Sequence, residues 1–317
     1  MSVADVAIVG AGAAGLATAI FAARRLPDAK IVALDGAPKL GAKILVSGGG
    51  RCNVTNEIVQ ADDFFGGSKR IIQRILAHLS VEQAIDFFRE IGVVLHVEEN
   101  GKLFPDSNRA RTVLDALVAE AQRLGVQMLV DHRVNQLEKS DDGFHLLTSG
   151  GSIGASQVVL ATGGLSLPKT GSDGGGYALA QAMGHSLVPT TPGLAPLRLS
   201  GDFHVGLSGV TQLVELSVHV AGEKAMRLSG SMLWTHFGIS GPVAMDASRL
   251  WHRAKLEKRG VSISANFVGG DDAAVVDQHL VNLSTDQPKR TIHAALARWL
   301  PARVASAMLA QLGVEVV

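Results

Sequence analysis

The sequence predicts an α/β protein whose amino-terminal part is built on a parallel sheet. Three observations predict it. "DVAIVGAGAAGLATAIFAARR" (5–25) reads as strand, turn and helix. "KIVALD" (30–35) supplies a second continuous apolar strand, and "ASQVVLATGG" (155–164) a third, much later in the chain. Strands apolar at every position suit a parallel sheet covered on both faces.

The elements follow in order. Val6, Ala7, Ile8 and Val9 form the first strand, and Val6 to Ala23 carry no charge over eighteen positions, close to the length of a membrane span. Asp5 precedes that run, no basic segment leads into it, glycines interrupt it and Arg24-Arg25 end it, so a strand and a buried helix are expected rather than a span or leader. Ser80 and Gln83 make a capping box, and Val81, Ala84, Ile85 and Phe88 follow a helical stripe. "VVLHVEENGKLF" reads as a hairpin turning at Asn100-Gly101. "RTVLDALVAEAQRLG" reads as a helix stopped by Gly125. The stretches "VQMLVDHRVNQLEK", "GFHLLTSG" and "ASQVVLATGG" then read as a three-strand meander, turning at Asp142-Gly143 and Gly150-Gly151. Pro189, Pro192 and Pro196 mark a boundary; 197–268 reads as strand-rich with a basic helix near Trp251, and 271–315 as helical. There is no internal repeat.

Composition narrows the function classes. The chain has 317 residues, 47% of them hydrophobic, enough for two domains or one large domain with an insertion. Lys plus Arg and Asp plus Glu are 29 each, so no net field favours nucleic acid or an anionic membrane. The partner expected is a small-molecule substrate, with oligomeric state left open. One cysteine, Cys52, allows no internal disulfide and suits a reducing cytoplasm. The eleven histidines show no metal-ligand spacing, so no metal is expected.

Gly10-Ala-Gly12-Ala-Ala-Gly15 between strand and helix is a dinucleotide fingerprint, and Asp35 stands twenty residues after Gly15 at the end of the next strand. Gly10 permits the turn, Gly12 lets a pyrophosphate approach, Gly15 lets helix and strand pack, and Asp35 suits a ribose hydroxyl pair. The motif alone does not separate FAD from NAD; the late strand ending Ala161-Thr162-Gly163-Gly164 favours FAD. Gly36-xxxx-Gly41-Ala42-Lys43 misses a phosphate-binding P-loop by the intervening Ala42, and no GxSxG occurs. Cys52 is either a thiol activated by Arg51 or, the favoured reading, a small residue packed near a cofactor. His236 faces substrate or is structural. The basic run Arg249, His252, Arg253, Lys255, Lys258 and Arg259, broken by Glu257, reads as a solvated helix face.

"GAGAAG", "GAKILVSGGGRCNVTN", "ATGGLSLPKTGSDGGGYALAQAMGH" and "WTHFGISGP" occur in that order. With them the chain resembles the BaiN-like three-domain bacterial flavoproteins, a family that includes aminoacetone oxidase. The resemblance implies an α/β fold: a glutathione-reductase-type FAD-binding, Rossmann-like domain with an inserted β-barrel-like domain and a small helical domain. Here these correspond to 1–190, 191–268 and 269–317. Carried over, Gly10, Gly12, Ala14 and Gly15 meet the pyrophosphate and Asp35 the adenosine ribose. Lys43, Ser47, Gly48, Gly49, Gly50, Arg51, Cys52 and Asn53 line the flavin side. Val134 offers its backbone to adenine, and Thr162, Gly163 and Gly164 close over the dinucleotide. The family's carboxy-terminal return to the FAD domain, ending in a glycine-rich segment, has no counterpart by Val317. The expected function is an FAD-dependent oxidoreductase with NAD(P)H as a transient reductant; no catalytic acid or base is named. The alternatives are a truncated, weak or inactive dinucleotide-binding protein and an NAD-only dehydrogenase.

Overall fold

Strand β1 (Val3–Val9) lies in the middle of a six-stranded sheet, and almost every other feature of the first half is placed by it. A computed structural model of the chain describes residues 3–223, 225–269 and 272–314. Helix α1 (Ala13–Arg25) follows β1, then β2 (Ile31–Leu34) and the short α2 (Ala42–Val46). A small strand β3 (Thr55–Asn56) precedes α3 (Lys69–Leu76), α4 (Val81–Glu90), the hairpin strands β4 (Leu95–Val97) and β5 (Lys102–Pro105), and α5 (Ala110–Arg123). Next come β6 (Gln127–Leu129), β7 (Val134–Ser140), β8 (Gly143–Thr148), β9 (Gly151–Leu160) and α6 (Gly175–Ala182).

The sheet order is β6-β2-β1-β9-β8-β7. β2 and β9 flank β1 in parallel, with Val9 opposite Leu34 on one side and Leu160 on the other. The carboxyl ends of these strands therefore finish together, where open α/β sheets bind ligands. β8 runs antiparallel to both β7 and β9, as the meander reading expects. The stretch 126–139 is not one strand, however. It is broken at Asp131, whose φ of 56° is left-handed, so β6 joins the parallel sheet beside β2 and only β7 joins the meander. The hairpin of β4 and β5 is present, but Glu99–Gly101 at its tip form a 3-10 turn, and β3 adds a third strand.

The burial explains the apolar runs. Ile8, Leu16, Ala19 and Ile20 have no exposed surface and pack with Leu114 and Leu117 of α5 on one face of the sheet. Ala7, Val9, Leu34 and Leu146 fill the other face. The capping box at Ser80 forms as expected, with Gln83 N–H donating to Ser80 Oγ at 3.1 Å. The chain divides into compact units Met1–Val188 and Pro189–Val317.

In the second unit β10 (Leu197–Arg198), β11 (Thr211–Val220), β12 (Met226–Thr235), β13 (Gly238–Ser240) and β14 (Val261–Asn266) form an antiparallel sheet in the order β10-β13-β12-β11-β14. Helix α7 (Pro242–Leu256) buries Val243, Ala244 and Ala247 against Leu216 and Met232 of that sheet. Helices α8 (Ala273–Asp286), α9 (Ile292–Leu296) and α10 (Ala302–Gln311) complete the unit, and Val304 and Ala305 of α10 share its core. The two ends of the expected helical stretch 271–315 lie outside the described residues. The basic run begins on α7 and continues past its end, interleaved with carboxylates: Arg253 on the helix approaches Glu257, and Arg259 beyond it pairs with Glu223 at 2.5 Å. The expected solvated face holds for Lys255 and Lys258, whereas Arg249 is only 17% exposed and His252 Nε2 is buried, so that side of the run packs against the unit. No helix among the described residues is long and apolar enough to cross a membrane.

One ion-pair group ties α1 to α5. Glu120 is only 8% exposed and accepts from Arg24 Nη2 at 2.6 Å and from Arg123 Nε at 2.7 Å. Arg123 and then Arg24 hold its carboxyl at about 2 against an ordinary 4.5, in spite of burial that acts the other way. Because the folded value lies below the unfolded one, this stabilisation is complete above pH 4.5 and is lost as pH falls toward 2. E120Q is expected to cost about 3 kcal/mol at neutral pH in urea unfolding, and to make stability less sensitive to acid below pH 4.5.

Candidate functional site

The first unit contains a cavity of about 850 Å³ at the carboxyl ends of β1, β2 and β9. That is within the usual range of ligand sites, about 300–1,000 Å³. The turn after β1 makes its floor. Gly10 has φ of 102°, and a side chain there would press on the Ala161 carbonyl at 2.6 Å. Gly15 is buried, and a Cβ on it would overlap the carbonyl oxygen of Gly10. A Cβ on Gly12, by contrast, would meet nothing within 4 Å, and Gly12 lines the cavity. The three glycines thus divide the work as the spacing suggests: two let backbones cross, and one leaves space for a ligand.

Helix α1 starts at this floor. Its amino terminus has no side-chain cap and no acidic residue in the first turn. Its leading N–H groups have no partner in the helix and face a region suited to anionic oxygens. Asp35 stands beside them at the end of β2. Its Oδ2 accepts from Ala11 N–H at 3.0 Å and its Oδ1 from Ala37 N–H at 2.9 Å. Both oxygens keep a further lone pair, so the carboxylate is oriented and still able to accept from a pair of hydroxyls.

Of the residues singled out by sequence, Gly10, Gly12, Ala14, Asp35, Lys43, Ser47, Cys52, Asn53, Val134, Thr162 and Gly163 line this one cavity. The others stand behind or beside the wall. Gly15 is beneath the turn, and Gly164 lies against the Tyr177 hydroxyl. Gly48, Gly49, Gly50 and Arg51 form the outer side of the loop after α2. There the three glycines have φ of 55°, 69° and 86°, and Cys52 follows at 65°. Arg51 clamps this left-handed loop. Its guanidinium sits 4.1 Å from the Phe104 ring centroid and pairs with Glu98 Oε1 at 2.5 Å, which holds the Glu98 carboxyl below its ordinary value. Glu98 and Phe104 lie near and on the small sheet, so the β3–β4–β5 sheet anchors the loop.

Cys52 is buried, and burial pushes its thiol up despite a hydrogen bond with Ser47. Arg51 is engaged with Glu98 and Phe104, so the loop provides an uncharged packing residue rather than an activated thiolate. Lys43 Nζ bonds Ser166 Oγ across the cavity edge. His236 lies on the exposed turn between β12 and β13 of the second unit, edge-on to Phe237. No group of histidines, cysteines and carboxylates fit to hold a metal occurs among the described residues.

The structure adds wall residues that the motifs do not announce, chiefly Arg133 and Asp173, ion-paired at 2.8 Å. Their signals were present. Arg133 immediately precedes Val134, and Asp173 lies inside the glycine-rich "GSDGGG" after the late strand.

Residues 4–284 match the family described as HI0933-like protein Rossmann domain. A 3-dehydro-bile acid delta(4,6)-reductase of Clostridium scindens is 32% identical over 271 residues, 86% of this chain and 66% of that protein. A ribosomal RNA dihydrouridine synthase of Escherichia coli is 31% identical over 309 residues, 98% of this chain and 74% of that protein. The chain spans 66% to 74% of the length of these two relatives. A solved 3-ketosteroid-delta4-(5alpha)-dehydrogenase from Rhodococcus jostii has a TM-score of 0.46 at 19% identity, covering 66% of this chain and 59% of that one.

The glycines can be tested separately. G15A is expected to cost about 3 kcal/mol in denaturant unfolding, because backbone must move to admit the methyl. G12A is expected to unfold like the parent but to lose about tenfold in affinity for an added dinucleotide, read by fluorescence titration.

Proposed function

The chain belongs to the HI0933-like Rossmann-domain family, and on that premise we propose that it is an FAD-dependent oxidoreductase that reduces a carbon–carbon double bond conjugated to a carbonyl. The observation that carries the cofactor is the cradle itself. An open Gly12, the uncapped start of α1 and an oriented Asp35 share one wall of a cavity large enough for a dinucleotide. Gly10, Gly12, Ala14 and the first N–H groups of α1 would hold the pyrophosphate, with Gly15 packing the turn from below. Asp35 would take the adenosine ribose, and the backbone at Val134 the adenine. Lys43, Ser47, Cys52 and Asn53 would line the isoalloxazine side, with Arg51 and Gly48–Gly50 holding that loop from outside, and Thr162, Gly163 and Gly164 would close the other side. Bound there, the flavin supplies hydride or electron transfer, with NAD(P)H as transient reductant, and the protein supplies binding and orientation.

The substrate class rests on the two relatives. Reducing a 3-oxo steroid's conjugated double bond and saturating uridine are both hydride additions to an alkene activated by a carbonyl. Amine oxidation is the competing flavin reaction, which the test below separates from alkene reduction. The neutral charge balance, 29 basic against 29 acidic residues, favours a small molecule over an RNA. The parts 1–190, 191–268 and 269–317 would serve as cofactor domain, β-rich insertion and helical cap on that insertion.

The purified protein is expected to be yellow and to keep FAD through gel filtration. NAD(P)H oxidation should rise on adding a 3-oxo-4-ene steroid under nitrogen, and an amine under air should give no turnover. A protein that stays colourless after incubation with FAD overturns the cofactor; turnover of amines alone overturns the substrate class. D35A is expected to weaken FAD binding about tenfold or more, since a charge-assisted acceptor for the ribose is lost.

A further inference from the structure

Arg133 bridges the cavity wall. It stands at the start of β7, immediately before the buried Val134, and its guanidinium reaches a loop forty residues further along the chain. Nη1 pairs with Asp173 Oδ2 at 2.8 Å, and Asp173 Oδ1 accepts the Gly175 N–H at 3.0 Å at the start of α6. Arg133 first, then the Gly175 N–H, hold the Asp173 carboxyl below its ordinary value.

Both ends of this bridge have seats made by absent side chains. A Cβ on Gly36, one residue past Asp35, would lie 2.8 Å from the Arg133 Cβ. A Cβ on Gly175 would lie 2.6 Å from Arg133 Nη2. The stem therefore rests on the segment that carries Asp35, and the head rests on the segment that carries Asp173. Backbone bonds fix the stem's side: His132 N–H donates to Asp35 O at 2.8 Å, and Asp131 N–H to Ala37 O at 3.2 Å. Gly36, Arg133, Asp173 and Gly175 all line the cavity. The pair is half-exposed, with side chains 46% and 35% accessible, so it is weak enough to open and close.

We propose that the Arg133–Asp173 pair is a latch over the dinucleotide, resting on the FAD reading above, and that Arg133 is a positioning residue that slows ligand release. It ties the 173–176 loop to the end of β2 across the adenosine side of the cavity. Release of the cofactor requires the pair to part.

The test uses the whole chain loaded with FAD, diluted into a large excess of flavin-free buffer so that rebinding is negligible, with the return of free-flavin fluorescence giving the release rate. R133Q and D173N are each expected to release FAD about two- to five-fold faster. The double variant should be no faster than either single one, and R133K should restore most of the parent rate. The parent's release should quicken with salt toward that of R133Q, and R133Q should respond less steeply than the parent. D173N keeps an oxygen for the Gly175 N–H, so it removes the charge without removing the turn. Single variants that release at the parent rate, or single effects that add in the double variant, overturn the latch while leaving the FAD reading intact. A parent that binds no FAD at all overturns both, and is recognised because no release is then seen from any chain.

Discussion

The structure depends on a crossing of two backbones at Gly10. The carbonyl of that residue faces Gly15 on the helix, while the Ala161 carbonyl from the end of β9 presses on the same residue from the sheet. Neither approach tolerates a side chain. With both in place, α1 lies close on β1 and its amino terminus opens at the sheet's carboxyl edge, beside Asp35. Move the helix out by a methyl group and the N–H groups no longer share a wall with the carboxylate. The helix position, the cavity and the electrostatic character of the site therefore stand on one van der Waals limit.

A second constraint works at the other end of the cavity. The loop from Ser47 to Asn53 takes four left-handed residues within five positions, three of them glycines and the fourth Cys52. Such a loop is entropically costly and would not hold one shape alone. The small β3–β4–β5 sheet provides the missing rigidity through Phe104 and through Glu98, both gripping Arg51. The run of glycines beside a lone cysteine is thus the braced outer side of a loop whose Ser47, Cys52 and Asn53 face the cavity, and the buried thiol fills space there.

Much of this was legible in the sequence because it is local. The fingerprint, the capping box at Ser80 and the glycine turns of the meander each act within a few residues, and the acid stands at a fixed spacing within one strand–helix–strand unit, so their patterns survive in a linear reading. What escaped depends on distance in space. The stretch 126–139 mixes apolar and polar residues with no glycine or proline to mark a break, so Asp131-His132-Arg133 does not announce the left-handed turn at Asp131 that sends Gln127–Leu129 into a different part of the sheet from Val134–Ser140. Thr55–Asn56 are too few to announce a strand, and pair with β5 only once the hairpin exists. Arg133 and Asp173 are ordinary charged residues until the fold makes them neighbours across a cavity.

The position of β1 between β2 and β9 has a consequence for synthesis. One neighbour is made almost at once, but the other is completed at Leu160, about 150 residues later. At bacterial or eukaryotic elongation rates that interval is roughly 8–30 s. Throughout it, the apolar run from Val6 to Ala23 has an unpaired strand edge and no finished core to cover it. The nascent chain thus spends nearly half of its synthesis with an apolar strand edge open, so the protection of that edge during the wait is a separate demand from the stability finally reached.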